Sequence, residues 1–206
     1  MKLREVLGLA ALAASAPLAA QASLITNGDF ATPVIGGSFA TYSGGSTAVT
    51  GWTVTGDSVD LIGTYWQAPP GGGQSVDLSG LHAGGVTQML TTTIGTKYRV
   101  SFELSGNPDG APSTKTLTVA AGPTSADYTY TTGANSHADM AYAAGSFLFT
   151  AQTTLTALSF TSDDNTSYGP VVGNVAGSAV PEPLSLAVLG TGLIGLGLVR
   201  RGNAIA

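Results

Sequence analysis

From Ser23 to Val180 no eleven-residue window carries an apolar period of about 3.6 residues framed by helix caps; apolar runs are short, and Gly, Thr, Ser and Ala fill the space between them. That pattern confines the segment to strands. The clearest runs from Tyr98 to Leu104, where Tyr98, Val100, Phe102 and Leu104 point one way and Arg99, Ser101 and Glu103 the other, the signature of a half-buried antiparallel strand. Gly106-Asn107-Pro108-Asp109-Gly110 closes it as a turn, with Pro fixing φ and Gly tolerating a positive one. Ten further short strands are expected at Leu24-Ile25, Gly51 to Val54, Val59 to Ile62, Ser75 to Leu78, Val86 to Leu90, Thr116 to Val119, Asp127 to Thr131, Phe147 to Thr150, Leu155 to Phe160 and Val171 to Val175. Eleven strands joined by Gly-rich turns predict an all-β sandwich or barrel. Gly44-Gly45-Ser46 and Pro69 to Gly73 read as surface loops within one domain, and Ala176 to Ala179 as a linker after it.

Both ends differ from this body. Lys2 and Arg4 precede an apolar run from Val6 to Leu18, and Ala20-Gln21-Ala22 fits a small-x-small cleavage site, so residues 1–22 read as a signal peptide. At the other end, the sixteen residues from Leu184 to Val199 carry no charge and are followed by Arg200-Arg201. As a helix they reach about 24 Å, enough for a minimal membrane span, and the arginine pair sets the body on the outer side. Pro181-Glu182-Pro183, the Gly-containing apolar helix and Arg200-Arg201 together resemble the PEP-CTERM sorting signal, here over 180–203. The resemblance implies export across the inner membrane, a single transmembrane sorting helix, and an exosortase-type processing enzyme as partner alongside the export machinery. An ordinary C-terminal anchor helix would share this topology.

Between the ends about 158 residues remain, enough for one domain with one core. Three cations (Lys97, Arg99, Lys115) stand against ten carboxylates, so the body has no electrostatic footprint for nucleic acid. The chain has no cysteine, which excludes disulfides, thiolate metal sites and thiol nucleophiles.

Several pieces of the body look like the choice-of-anchor C sandwich, related to the family catalogued as domain of unknown function 642. They are Asn27-Gly28-Asp29-Phe30, Gly51-Trp52, Ser58 to Gln67, Gln74 to Leu78, the Ser105 to Gly110 turn and Tyr168 to Val172. The resemblance implies a galactose-binding-like jelly roll over 23–175, an architecture shared with carbohydrate-binding modules. Related domains often carry carboxylates where Ala31 and Gly173 stand here. Asp29 and Asn174 are the remaining candidate ligands for a structural calcium ion, which wants about six to eight oxygens, so no cofactor is expected.

Tyr65 and Trp66 stand where a strand gives way to the Pro69-Pro70-Gly71-Gly72-Gly73 loop, beside Asp60 and Gln67. Sugar C–H faces stack on such rings while side-chain oxygens take hydroxyl hydrogen bonds, and alternation allows one of the two rings to face a ligand. Trp52, alternating with Val54, is expected in the core. Asp163-Asp164-Asn165 reads as a solvated turn, and His82 and His137 as surface residues. Asp57, Asp60 and Asp77 could supply the paired carboxylates of a glycosidase, but no catalytic motif accompanies them, and no catalytic residue is assigned. The expectation is an exported, surface-sorted, non-catalytic protein of the cell envelope, outer surface or extracellular matrix that binds carbohydrate or contributes to the extracellular polysaccharide matrix. The alternatives are a purely structural matrix protein and a glycan hydrolase.

Overall fold

The computed structural model describes residues 24–181; the segments expected to be a signal peptide and, from residue 182 onward, a sorting tail lie outside the described residues. Among the described residues eleven strands occur: β1 (Phe39–Ser43), β2 (Thr53–Gly56), β3 (Ser58–Ile62), β4 (Ser75–Asp77), β5 (Gly84–Thr91), β6 (Lys97–Gly106), β7 (Thr114–Ala121), β8 (Thr124–Thr131), β9 (Ala143–Thr150), β10 (Leu155–Ser162) and β11 (Pro170–Ala179). They form an antiparallel sandwich with a six-stranded sheet ordered β1-β3-β4-β11-β6-β9 and a five-stranded sheet ordered β2-β5-β10-β7-β8. Only β3–β4 and β7–β8 join neighbours within one sheet; the other connections cross between layers, as in a jelly roll. The β7–β8 turn has two residues, and Gly122 supplies its positive φ of 57°. No helix among the described residues is long and apolar enough to cross a membrane.

The alternation from Tyr98 to Leu104 sets the core. Its apolar side chains are buried between the sheets, and Phe102 meets Phe160 of the opposite sheet edge-on at 5.3 Å. Trp52 packs on Phe160 at 6.2 Å and on Phe30 at 5.3 Å, and its ring N–H donates to the Asn27 carbonyl at 3.1 Å, which satisfies the one polar atom it brings inside. Each such large side chain contributes roughly 1.5–3 kcal/mol by leaving water. Gln74 and Gln88 fasten the N-terminal segment: Gln74 bonds Phe30, Pro33 and Ile35 main chain, and Gln88 bonds Thr26 and Gly51.

Two expectations change. Leu24-Ile25 forms no strand, while Phe39–Ser43, an edge strand of half-exposed residues, does. Residues 176–179 are not a linker: they continue β11, pairing Ala176 with Ser101 through Ala179 with Tyr98, and Val180 N–H still donates to the Lys97 carbonyl. Asp163 and Asn165 are exposed outside the strands, as a solvated turn requires, while the Asp163 and Asp164 carboxylates accept from the Thr118 hydroxyl at 2.9 Å and the Thr116 N–H at 2.8 Å.

At the far edge of the larger sheet β9 pairs only with β6, which leaves its other side unladdered. The Tyr128 hydroxyl from β8 donates to the Ser146 carbonyl at 2.8 Å, and Tyr130 reaches the Met140 and Ala141 carbonyls at 3.1 Å.

Asp60, Ile62, Ser75 and Asp77 leave β3 and β4 on the outer face of the larger sheet, away from Val59, Leu61 and Val76 in the core. Two long connections, 63–74 and 132–142, fold over that face. Ile62, Trp66, Met140 and Val171 form a second small apolar cluster there, with Tyr65 and Tyr142 packed against it. Gln67 stitches the connections together through His137 O, Met140 N–H and the Tyr142 hydroxyl.

Candidate functional site

Beside this second cluster the outer face stays open as a cleft of about 220 Å³. Asp60 and Asp77 form its floor, directly opposite one another across the β3–β4 ladder. Asp60 accepts a hydrogen bond from the Thr41 hydroxyl at 2.5 Å; burial raises its pKa and that bond lowers it. Asp77 is 1 % exposed and accepts three hydrogen bonds, from Ser79 N–H at 2.9 Å, Gly169 N–H at 3.1 Å and the Asn107 amide at 2.7 Å. Burial pushes its carboxyl up to about 7, with the charge of Asp60 adding to the rise and the three donors opposing it.

The walls are apolar. Phe39, Leu81 and Tyr168 line the cleft together while remaining 47 %, 64 % and 38 % exposed, so their apolar surface is grouped around one opening. Tyr65 lies between them and the second cluster, its ring 5.4 Å from Phe39, 5.5 Å from Trp66 and 4.5 Å from His137. Its hydroxyl donates to Asp109 at 3.0 Å, and this bond, then burial, then the Asp109 charge, raise its pKa. The other Asp109 oxygen meets His137 Nε2 at 2.7 Å. Among the described residues no Lys or Arg lines the cleft.

Behind the floor Lys115 is fully buried and donates to the Gly110 carbonyl at 2.8 Å and the Tyr168 carbonyl at 2.6 Å. Burial lowers its pKa, and Asp164 and Asp77 oppose that.

The structure brings Tyr65, Trp66 and Asp60 to this cleft, with Asp60 on its floor as an acceptor, but Trp66 does not take the stacking role the sequence suggested. Trp66 is no solvent-facing platform: it is 6 % exposed, and its ring N–H donates to the Ser75 hydroxyl at 3.0 Å. The strand alternation invoked for the two rings does not apply, because Gly63 to Trp66 bend out of β3 and both rings reach one cluster. Gln67 lies outside the cleft and is spent on the stitching described above. Phe39, Leu81, Asn107, Asp109 and Tyr168 carry no site expectation from sequence beyond the turn 106–110 and the Tyr168-Gly169-Pro170 run, and His137, expected at the surface, is exposed there beside Asp109. His82 is exposed and outside the cleft.

Asp29 and Asn174 both border the 69–74 loop. Asp29 Oδ1 accepts from Ala31 N–H at 3.3 Å, and the Asn174 amide donates to the Pro70 carbonyl at 3.0 Å. A Cβ at Gly173 would stand 2.7 Å from Pro69 Cγ, so the proline occupies the room a carboxylate would need there. Among the described residues no group of three His, Cys, Asp or Glu could hold a metal ion.

Residues 23–178 match the family model described as "Protein of unknown function (DUF642)". The chain belongs to the DUF642 family. This DUF642 chain is 31 % identical over 178 residues to Halomucin of Haloquadratum walsbyi, a match that takes in 82 % of the chain but 2 % of Halomucin's length. Among solved structures it is similar to a family 35 carbohydrate-binding module from Clostridium thermocellum, with TM-score 0.46, 11 % identity, and coverage of 68 % of this chain and 99 % of the module. It is also similar to TmCBM61 in complex with beta-1,4-galactotriose, with TM-score 0.45, 11 % identity, and coverage of 78 % and 100 %.

Proposed function

We propose that this DUF642 chain is an exported, non-catalytic protein that binds carbohydrate in the cleft and contributes to an extracellular polysaccharide matrix. One observation carries the reading: exposed aromatic walls stand over a floor of hydrogen-bond acceptors. Sugar C–H faces stack on the walls, and hydroxyls donate to Asp60 and its neighbours. The absence of turnover is supported by the way Asp77 is used. Although burial raises its pKa as in a glycosidase acid, Asp77 is 1 % exposed and its oxygens are taken by three donors, so this reading gives it the part of a brace for the 107–110 and 167–169 segments.

Export rests on Lys2, Arg4 and the apolar run after them, and on Pro181-Glu182-Pro183 with Arg200-Arg201. In this reading the chain crosses the inner membrane, is held by its C-terminal helix, and is released by an exosortase-type enzyme to the outer surface or matrix. The burial of Trp66 favours one competing reading, a structural matrix protein without a soluble ligand, because it removes the platform expected from sequence.

A glycan array probed with the purified full chain separates these readings. A saturable response lost on Asp60→Ala is the expected result. Silence across neutral and acidic glycans would favour the structural protein, and release of sugar would favour a hydrolase.

A further inference from the structure

Tyr168 is seated differently from the other walls of the cleft. A Cβ on Gly110 would come within 2.2, 2.3 and 2.7 Å of three of its ring carbons, so the ring can occupy its place only because residue 110 has no side chain. The main chain on both sides of this contact is fixed. Lys115 grips the Gly110 and Tyr168 carbonyls with one ammonium group, Thr166 accepts from Tyr168 N–H at 3.2 Å, and Asn107 N–H donates to the Gly169 carbonyl at 2.9 Å.

Tyr65 is the contrasting case. Its ring already has Phe39, Trp66 and His137 around it, and its hydroxyl is taken by Asp109. Tyr168 is seated on Gly110, lines the cleft and remains 38 % exposed. A ring held in place before a ligand arrives loses little conformational freedom on binding.

The floor narrows the ligand. Asp60, Asp77 and Asp109 reach the cleft and, among the described residues, no Lys or Arg lines it; the Lys115 ammonium behind the floor is taken by two carbonyls, so a uronate or sulfate would bring its charge to an acidic surface with no cation in reach to bond it. Hydroxyl groups suit the same floor as donors.

Building on the carbohydrate-binding reading, we propose that Tyr168, seated on Gly110 and locked by Lys115, is the stacking platform of the cleft, and that its ligand is an uncharged glycan. Affinity electrophoresis of the full chain in xylan, β-1,4-galactan and mixed-linkage β-glucan, against alginate and polygalacturonate, tests both parts. At least one neutral polymer retards the wild type and the acidic polymers do not. Tyr168→Ala weakens that binding by about tenfold or more without lowering the melting temperature, as loss of one stacked ring should, whereas Tyr168→Phe retains it. Gly110→Ala also weakens it, although every side chain of the cleft is kept; if that variant fails to fold, the Tyr168→Ala and Tyr168→Phe pair decides.

Wild-type binding that survives Tyr168→Ala overturns the platform while leaving carbohydrate binding intact. Stronger retardation by the acidic polymers overturns the uncharged ligand. A wild type that no polymer retards removes the carbohydrate reading, and this inference with it.

Discussion

Trp52 and Trp66 look alike in sequence, each beside a turn, yet both end in apolar clusters with their ring N–H groups bonded. Truncating either to Ala is therefore expected to cost roughly 3–5 kcal/mol in denaturant melts, from lost burial and the cavity left behind. A change at Trp66 within about 0.5 kcal/mol, as at surface sites, would contradict its burial. Asp77 supplies a second expectation at this scale. Its folded pKa is raised from 3.8 to about 7, and that of Asp60 is raised as well, so the folded state holds more protons than the unfolded chain between these values. The contribution of such groups is full below the unfolded pKa and is lost as pH rises through the folded one. Melting temperature should accordingly fall from pH 4 to pH 7, and Asp77→Asn should flatten that slope. Trp52 was legible because it alternates with Val54 in a strand; Trp66 was not, because its role depends on a bend after Gly63 and on Met140, far along the chain.

Among the elements, β6 could be read directly, since each apolar residue faces the core and each polar one does not. β1 could not, because an edge strand of half-exposed residues buries too little to leave a pattern. The end of β11 failed for a related reason. Ala176, Gly177, Ser178 and Ala179 have the composition of a linker, and only their pairing with β6 makes them a strand. A chain ended after Val175 gives up those four register pairs; at about 0.5–1.5 kcal/mol for one hydrogen bond per pair, it should be roughly 2–6 kcal/mol less stable than one ended after Val180, as read by urea denaturation. The cleft was the least legible part. Its residues come from β1, β3, β4 and the segments 63–66, 80–81, 107–109 and 167–168, and nothing local marks segments that meet only after the sheets have formed.

For the molecule as a whole, no cation is expected to hold the sandwich together. A ligand bound at about 100 times its Kd adds ~2.7 kcal/mol, which would move the melting midpoint of a domain this size by several degrees. EDTA should leave the midpoint within about 1 °C, and a larger drop would place a metal site that Asp29 and Asn174 do not reveal. If Pro181-Glu182-Pro183 is a sorting signal, mass spectrometry of cells carrying an exosortase-type enzyme should find chains lacking Leu184 to Ala206; intact C-termini alone would remove that reading. The tyrosine contacts at β9 bear on how many copies can stand side by side. A bare edge of eight residues without charge or proline invites the same strand of a neighbouring copy to zip on, and repeated pairing leads to fibres. With Tyr128 already occupying the Ser146 carbonyl, an incoming strand must first displace a bond within the molecule, so even a dense population of these chains can remain a crowd of individuals.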